Sequence, residues 1–506
     1  MNASRCFSEP KEPKKLLLTW VGCAGLLAVC LAHGLVVTRG LATPPDLDAL
    51  RDIGFAQGIL DGNWWGDPAY LGATRYYPPL VPGLLAGIAL LVGSHDLPRL
   101  WIVAGPLLGL LPVLLFFLMM RALFSARIGL AATTVFVLWN GVLGAPWVSG
   151  GYSPWLLTPL LAQAGFFGTS WLIHARAGRG RWGDAVLIGA VIGTVFLAHV
   201  IPALLLSAML VAAALIGQGV RLRTLVWLAI TGAVQALVMA PYLAPILLAY
   251  PDGVVHLTPG AWVADELRLD NAALTIMALI NLPFLLAALL LWQSRLWPRG
   301  LAGAMLAVWI AICVVVLARH YGCAGSDAAA CRFFRLPVHH FHLYLQAAGA
   351  GVIGLALARW SPPRPIWGAV IAAGIVGMWL RQYDAIARDA TPAIDLAAYR
   401  WVLANAPPDT LFVTAIPTDR DSPFDPAAFA VLAAGRKLVE LHTLFSNPYV
   451  AWAPREVLRA GAMAQPPCGS ATWAIVPTVH PLPKRATIMA ATADHQIARL
   501  DLSGCP

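Results

Sequence analysis

The chain has 506 residues, of which 59% are hydrophobic and 12% are charged, and its formal net charge is +9. This composition excludes a soluble globular protein and predicts a polytopic integral membrane protein. The positive charge does not indicate a nucleic-acid partner, because most Lys and Arg residues fall in short loops between apolar segments, as in cytoplasmic loops.

The first apolar segment covers residues 16–37 and follows a basic tail that contains Arg5, Lys11, Lys14 and Lys15. A cleaved signal peptide has a similar order of charge and hydrophobicity, but its apolar region is shorter. The segment is long enough to cross a bilayer. We therefore predict a retained first transmembrane helix with a cytoplasmic N-terminus.

The next apolar segment, Leu80–Val92, is too short to span and contains Pro82 and Gly83. If it crossed the membrane, the basic pair Arg121 and Arg127 would face the outside, and so would each later basic loop. We therefore predict a re-entrant or surface-lying helix on the outer face.

The basic loops fix the orientation of the remaining spans, because Lys and Arg concentrate on the cytoplasmic side. These predicted cytoplasmic segments are the N-terminal tail, 121–127, 176–181, 221–223, 295–299 and 359–364. The predicted spans are 16–37, 100–120, 128–146, 155–174, 183–200, 202–218, 224–247, 272–293, 300–319, 338–358 and 366–381. The result is an α-helical polytopic protein of the plasma membrane with about 11 transmembrane helices, its N-terminus inside and its C-terminus outside.

The composition changes after about residue 385, which divides the chain into a predicted transmembrane domain, 1–385, and an outer domain, 386–506. The first outer loop, 38–99, belongs to the former. Alternating patterns predict helices at 393–404 and 427–435 and strands at 411–416, 437–442, 471–476 and 497–502. These patterns indicate a small extracytoplasmic α/β domain.

Four cysteines fall in the predicted outer segments, namely Cys323, Cys331, Cys468 and Cys505. Because the outer compartment is oxidising, two disulfides are predicted there, with the pairing left open. Cys23, Cys30 and Cys313 lie within predicted helices and are interpreted as packing residues. The Cys and His spacings do not resemble a zinc site.

The first outer loop is acidic and aromatic, although the chain on either side is almost purely apolar. Its acidic residues are Asp46, Asp48, Asp52, Asp61 and Asp67, and its interleaved aromatic residues are Trp64, Trp65, Tyr70, Tyr76 and Tyr77. Ionisable residues close to a bilayer are costly to keep and generally mark function. The loop is therefore the predicted start of the chemistry.

Specific motifs in the first 200 residues resemble the GT-C superfamily of membrane glycosyltransferases, which use polyprenyl-phosphate-linked sugars as donors. The motifs are Asp46-Leu-Asp48, Gly62-Asn63-Trp64, Tyr76-Tyr77-Pro78-Pro79, the segment from Gly93-Ser94-His95 to Arg99, and a span that ends at Arg121–Arg127. The resemblance implies transfer of a sugar on the outer face to a glycan, lipid or protein acceptor.

The resemblance also implies an aspartate in this loop that acts as the catalytic base or orients the donor. Our candidates for the base are Asp46 and Asp48, with Asp52 in support. A carboxylate is suited to accept the proton of the acceptor hydroxyl, while the departing lipid phosphate needs no general acid. Asp46 follows two prolines and equally fits a helix N-cap. Asp61 and Asp67 are interpreted as turn residues.

The chain departs from the oligosaccharyltransferase pattern in the next outer loop, because residues 144–155 contain no carboxylate. A metal bridged between the two loops is therefore disfavoured, and a mechanism without a cofactor is predicted. Asp265 and Glu266, in a later outer loop, remain substitutes, although solvated loop acids are the commoner explanation.

Arg332, Arg335, His339 and His340 are the candidates for binding the donor phosphate, since they open the tenth predicted span at its outer end. Arginine offers a forked set of donors that matches phosphate oxygens. An interfacial anchor with snorkelling arginines explains the same pattern.

Four aromatic residues of the first loop also have two interpretations. Trp64, Trp65, Tyr76 and Tyr77 are candidates for stacking on a sugar or lining the path of the lipid. They equally fit an interfacial aromatic belt, which is the preferred reading for the two tryptophans.

Two functions other than glycosyl transfer remain open at this point. A flippase for a lipid-linked saccharide would place ionisable residues inside the spans and show inverted repeats, and the sequence shows neither pattern. A non-catalytic assembly partner with the same fold stays open because the second acidic motif is missing.

Overall fold

The computed structural model describes residues 13–143, 151–255, 271–322, 340–360, 394–415, 425–441, 445–451, 472–482 and 486–500, with scattered positions in 365–379 and 454–461. The chain separates into two compact units. The helical unit comprises Met1–Arg39, Ala104–Ala240 and Ala264–Ala385, and the loop–sheet unit comprises Gly40–Val103, Pro241–Val263 and Ile386–Pro506. The division into domains 1–385 and 386–506 stays a prediction.

Long helices make up most of the described chain before residue 361. In chain order they are α1 Pro13–Val37, α2 Leu47–Leu60, α3 Leu80–Val92, α4 Leu97–Leu108, α5 Leu110–Leu123, α6 Ala126–Leu143, α7 Thr158–Arg176, α8 Trp182–Ala198, α9 Val200–Gln218, α10 Leu222–Ala249, α11 Asn271–Gln293, α12 Leu301–Gly322 and α13 His340–Trp360. Within its described residues, each apolar segment predicted as a span up to residue 358 is mostly helical, and so is the short segment at α3.

Six helical segments within the described residues are long and apolar enough to cross a membrane. They are Leu16–Val37, Leu97–Leu123, Val200–Gln218, Leu222–Ala249, Leu301–Arg319 and His340–Arg359. The protein is therefore a multi-pass membrane protein. The count of eleven spans, the orientation of the termini and the placement of α3 stay predictions.

The helical unit is held by apolar packing and by close approach of its backbones. The rings of Phe116 and Phe136 stack with centroids 4.5 Å apart, and the ring of Phe167 packs edge-on against both. At Gly354 on α13, a Cβ atom would clash with the backbone of Ala132 on α6. Small residues at such crossings are typical of helices that associate in membranes.

The C-terminal part of the loop–sheet unit forms a five-stranded sheet. Its elements are α14 Leu396–Asn405, β1 Leu411–Thr414, α15 Pro426–Ala433, β2 Lys437–Leu438, β3 Thr472–Pro477, β4 Ala486–Ala491 and β5 His495–Leu500. The strand order is β2-β1-β3-β5-β4. Strand β1 pairs in parallel with β2 and β3, and β5 pairs antiparallel with β3 and β4. The predicted α/β fold is confirmed, although β2 is shorter than predicted and β4 was not predicted.

Candidate active site

The acidic loop begins with a capped helix. Asp46 has extended backbone angles, φ −105° and ψ 133°, and its side chain accepts hydrogen bonds from two amides of the first turn of α2. Its Oδ1 lies 2.8 Å from the amide nitrogen of Asp48 and 3.4 Å from that of Ala49. The sequence left the N-cap as one of two interpretations of Asp46, and this geometry confirms it.

The environment of Asp46 changes its acidity. Burial of the carboxyl, with the nearby charge of Asp48, raises the pKa of Asp46 to about 7, against the opposing effect of the capping amides and of Arg51. Burial disfavours the charged form of an acid because the surroundings solvate an anion less well than water. Near neutral pH this carboxyl can therefore both hold and release a proton.

Arg51 lies between the other two candidate carboxylates. Its Nη1 is 2.6 Å from Oδ1 of Asp48, and its Nη2 is 3.0 Å from Oδ1 of Asp52. The guanidinium also covers the ring of Tyr77, with its carbon 3.7 Å from the ring centroid. The side chain of Asp48 is 43% exposed and that of Asp52 only 1%. Asp48 is therefore accessible from solution, while Asp52 holds the cation from the buried side.

An aromatic group packs beneath this cluster. The rings of Phe55 and Tyr77 stack with centroids 6.0 Å apart, and Tyr76 contacts both rings edge-on. The hydroxyl of Tyr76 donates to the carbonyl oxygen of Phe445 at 3.0 Å. The two tyrosines thus connect the start of α2 to the C-terminal part of the same unit.

A second buried arginine, Arg75, packs against the same aromatic group. Arg75 is 2% exposed, its Nη2 donates to the carbonyl oxygen of Phe55 at 3.1 Å, and burial lowers its pKa to about 10. Within the described residues, its Nε and Nη1 have no hydrogen-bond partner. Its guanidinium packs against the ring of Phe55.

Asp61 ends the same helix. As the C-cap residue of α2, it accepts a hydrogen bond from Gln57 at 2.8 Å through Oδ1 and an ion pair from Arg436 at 2.7 Å through Oδ2. The interpretation of Asp61 as a turn residue is therefore confirmed.

Asp67 stabilises the turn that follows. It is 1% exposed, and its carboxylate accepts hydrogen bonds from the amides of Ala69 and Tyr70 and from the side chain of Asn447. The backbone carbonyl of Asp67 accepts a hydrogen bond from Nζ of Lys437 at 2.7 Å. The loop is thus anchored to residues more than 300 positions later in the chain.

The predicted aromatic residues fall into two environments. Trp64 and Trp65 are 55% and 48% exposed, while Tyr76 and Tyr77 are half-buried in the cluster described above. Their predicted roles, whether in stacking on a sugar or in an interfacial belt, stay predictions.

Three of the four residues predicted to bind the donor phosphate, Arg332, Arg335 and His339, lie outside the described residues. His340 is the first residue of α13, and its ring lies 4.6 Å from that of His199, which caps α9. The predicted phosphate-binding role of these residues stays a prediction.

The cysteines predicted to form disulfides, 323, 331, 468 and 505, also lie outside the described residues. Cys23, Cys30 and Cys313 are buried free thiols, as predicted. In the part of the chain that the structure describes, no group of three or more His, Cys, Asp or Glu side chains is arranged to hold a metal ion.

Sequence reasoning missed two arginines of this unit, Arg51 and Arg75, and the ion pair that Arg436 forms. Arg51 had a local signal, because it follows Asp48 by three positions, a spacing at which side chains on a helix are neighbours. Arg75 adjoins the Tyr76-Tyr77 motif but lacks a spacing signal. The ion pair of Arg436 joins residues 375 positions apart and leaves no local pattern.

Comparison with solved structures identifies proteins of similar fold. ArnT from Cupriavidus metallidurans, bound to undecaprenyl phosphate, has a TM-score of 0.58 at 13% identity, over 95% of this chain and 98% of that one. Its apo structure gives 0.56 at 14% identity, over 96% and 98%. The archaeal oligosaccharyltransferase AglB from Archaeoglobus fulgidus, in complex with an inhibitory peptide and a dolichol-phosphate, gives 0.54 at 12% identity, over 90% and 69%.

No protein-family model and no curated protein matches the chain. At these low identities the structural similarities establish the fold, and function is argued from the residues of the site. The sequence motifs predicted a GT-C fold, and this prediction is confirmed.

Proposed function

We propose that the protein is a glycosyltransferase that moves a sugar from a polyprenyl-phosphate donor to a glycan, lipid or protein acceptor on the outer face of the membrane. The observation that carries the proposal is the group of carboxylates at the start of α2, in which Asp46 has a pKa near neutrality beside the Asp48–Arg51 pair. The fold neighbours add support, since ArnT was solved with undecaprenyl phosphate and AglB with a dolichol-phosphate and a peptide.

Asp46 is the better candidate for the general base. A base works best when its pKa lies near the operating pH, because it is then ionised and still holds a proton firmly. The carboxylate of Asp48 is engaged in an ion pair, because its Oδ1 lies 2.6 Å from Nη1 of Arg51. Asp48 and Arg51 instead form a fixed charged pair beside the reacting groups.

In the proposed reaction the acceptor attacks the anomeric carbon as Asp46 takes the acceptor's proton. The new bond to the anomeric carbon forms while the bond from that carbon to the phosphate oxygen breaks, and the polyprenyl phosphate leaves with the electron pair. Cations near the phosphate would stabilise the leaving group, and Arg332, Arg335, His339 and His340 are our candidates for that role.

The proposed chemistry has no step through a metal. Arg51 already neutralises the carboxylate of Asp48 through the contact of its Nη1 with Oδ1. A divalent ion at Asp48 would therefore have to displace a guanidinium held by two carboxylates and a tyrosine ring.

The test is a donor panel with matched variants. The protein in nanodiscs is given hexose- and pentose-bearing polyprenyl phosphates, with a membrane lipid extract, an oligosaccharide and a peptide as acceptors. Asp46→Asn keeps a good N-cap residue and removes the base, so α2 is preserved while kcat falls by at least about 100-fold. Asp48→Asn and Asp52→Asn disturb the Arg51 cluster and give smaller losses.

Asp252→Asn is the matched control, because Asp252 is an exposed acid in a turn of the same unit. It is expected to keep the wild-type rate. The proposal is wrong if the wild-type protein consumes none of the donors, or if Asp46→Asn and Asp48→Asn both keep wild-type turnover. Passage of a lipid-linked saccharide across the bilayer by a protein without turnover would instead favour a flippase.

A further inference from the structure

A buried arginine far along the chain joins the ends of three helices. The guanidinium of Arg436 is 2.7 Å from Oδ2 of Asp61, which ends α2. Its Nε donates at 2.7 Å to the carbonyl oxygen of Ala406, the C-cap residue of α14. Its Nη1 also donates to the carbonyl oxygen of Ala434, the residue that ends α15, at 2.8 Å. A cation suits this place, because helix C-termini carry partial negative charge and unpaired carbonyl groups.

The local sequence explains why Arg436 reaches this position. Gly435 has φ +69° and follows the end of α15, where a left-handed residue closes a helix. The amide of Gly435 donates to the carbonyl of Leu432 and that of Arg436 to Val431, which is the hydrogen-bond pattern of a Schellman turn. The turn directs the chain away from α15 and brings Arg436 to the end of α2.

The contact between α2 and α15 leaves little freedom for sliding. At Gly54 in the middle of α2, a Cβ atom would clash with the backbone carbonyl of Leu432 on α15. At Gly435 a Cβ atom would lie 3.0 Å from the side chain of Gln57 on α2. Because the two backbones approach this closely, α2 cannot slide along α15 without a clash. A displacement at the end of α2 therefore moves the helix as one body.

The geometry points to Arg436 as a positioning residue for sugar transfer: through Asp61 it fixes α2 and thereby the carboxylates of Asp46 and Asp48 at the opposite end of the same helix. A helix of 14 residues is about 20 Å long and transmits a displacement at one end to the other. This inference rests on the proposed function. Misplacement of a catalytic group by about 1 Å is enough to lower a rate about 100-fold.

The variants separate this role from a purely structural one. Asp61→Asn removes the charge that Arg436 holds, and its amide oxygen can still accept the hydrogen bond from Gln57. Arg436→Gln removes the guanidinium, and Arg436→Lys restores the charge without the forked geometry. Arg400→Gln is the control, because Arg400 is an exposed arginine on α14 whose side chain is 67% accessible.

The experiment measures kcat, the KM for the donor, and the pH profile of kcat for full-length protein in nanodiscs, per folded molecule by size-exclusion chromatography. We expect Asp61→Asn and Arg436→Gln each to lower kcat by about 10-fold with KM changed less than about 2-fold, since the lost effect is on the reacting geometry. The pH midpoint is expected to shift from that of the wild type, because Asp46 moves. The double variant is expected to resemble either single one, since both act through one contact.

Partial recovery of kcat in Arg436→Lys supports the inference, as does a wild-type rate in Arg400→Gln. The inference is overturned if the folded Asp61→Asn protein keeps the wild-type kcat and pH midpoint and only melts at a lower temperature. Should Arg436→Gln fail to fold, Asp61→Asn alone decides the matter. Absence of turnover in the wild type, or full activity of Asp46→Asn together with Asp48→Asn, would refute the proposed function instead.

Discussion

The two units of the protein use their buried polar side chains differently. In the helical unit many of them bond within their own helix, as Thr133 does with Gly129 and Thr169 with Gly165, four residues apart. In the loop–sheet unit the corresponding bonds join distant parts of the chain. Asp61 and Arg436 are 375 positions apart, and Tyr70 and Ser446 are 376 apart.

The difference has a physical reason. Between transmembrane helices, the burial of apolar surface gives little driving force, so close packing and local satisfaction of polar groups suffice. A loop with five aspartates needs partners for its buried charges, because an unpaired buried charge costs several kcal/mol. The helical unit therefore tolerates loss of single polar groups, whereas the loop–sheet unit depends on specific pairs.

The largest expected effect comes from breaking the backbone contact in the loop–sheet unit. Gly54→Val places a branched side chain against the carbonyl of Leu432, which should lower the free energy of unfolding of this unit by about 3 kcal/mol. Gly87→Ala on α3 is the matched change, since a Cβ there has no atom within 4 Å. Gly87→Ala should leave the midpoint temperature of unfolding unchanged or raise it slightly. Thermal unfolding in nanodiscs measures both, and equal shifts would contradict the packing assignment.

A change of pH tests the same unit through its chemistry. The folded pKa of Asp46, about 7, lies above that of a free carboxyl, so the base form is lost as pH falls through neutrality. Between pH 9 and pH 5, kcat should fall by about 100-fold with a midpoint near 7. A rate profile flat down to pH 5 would show that a group with an ordinary carboxyl pKa, and not Asp46, takes the proton.

A smaller effect is expected from single polar groups, and here the two units should differ. Asp67→Ala leaves the amides of Ala69 and Tyr70 without their side-chain acceptor and removes one hydrogen bond of Asn447, which should lower the free energy of unfolding by about 2 kcal/mol. Thr133→Val removes only a bond to its own helix and should cost less than about 1 kcal/mol. If urea titrations show similar losses of unfolding free energy for Asp67→Ala and Thr133→Val, the two units do not differ in this respect.

The smallest effect should follow removal of divalent ions. Because Arg51 already neutralises Asp48, we expect kcat to change less than about 2-fold in the presence of a chelator. Assays with and without chelator, followed by addition of Mg²⁺, Mn²⁺ or Zn²⁺, measure this directly. If the chelator abolishes turnover and one of these ions restores it, the reaction requires a metal ion and the proposed metal-free mechanism is wrong.

Much of the fold follows from local patterns. The apolar segments predicted the helices up to residue 358, because length and composition determine which segments can cross a bilayer. The two prolines before Asp46 indicated a capping role as one of two interpretations, since an N-cap is set within one helical turn. The strand β4 was not predicted because three of its six residues, Ala486–Ala491, are alanine, which is depleted in strands.

The site was predictable only in part. The carboxylates of the first loop were identified from a motif. The ion pairs of Arg51 with Asp48 and Asp52 became evident only from the positions of the three side chains on α2. The raised pKa of Asp46 depends on burial, which a single sequence does not encode at one position. The anchoring by Arg436, Lys437 and Asn447 comes from pairs hundreds of residues apart, for which the sequence carries no spacing signal.

The most direct test of the central claim is a product balance for one reaction. Wild-type protein and the Asp46→Asn/Asp48→Asn double variant are given a polyprenyl phosphate carrying a labelled sugar, and mass spectrometry follows donor, free polyprenyl phosphate and labelled acceptor. We expect the wild type to release one polyprenyl phosphate for each sugar transferred, only when acceptor is present. We expect the double variant to release none above background. Equal transfer by the double variant, or loss of donor without any labelled acceptor, would contradict the central claim.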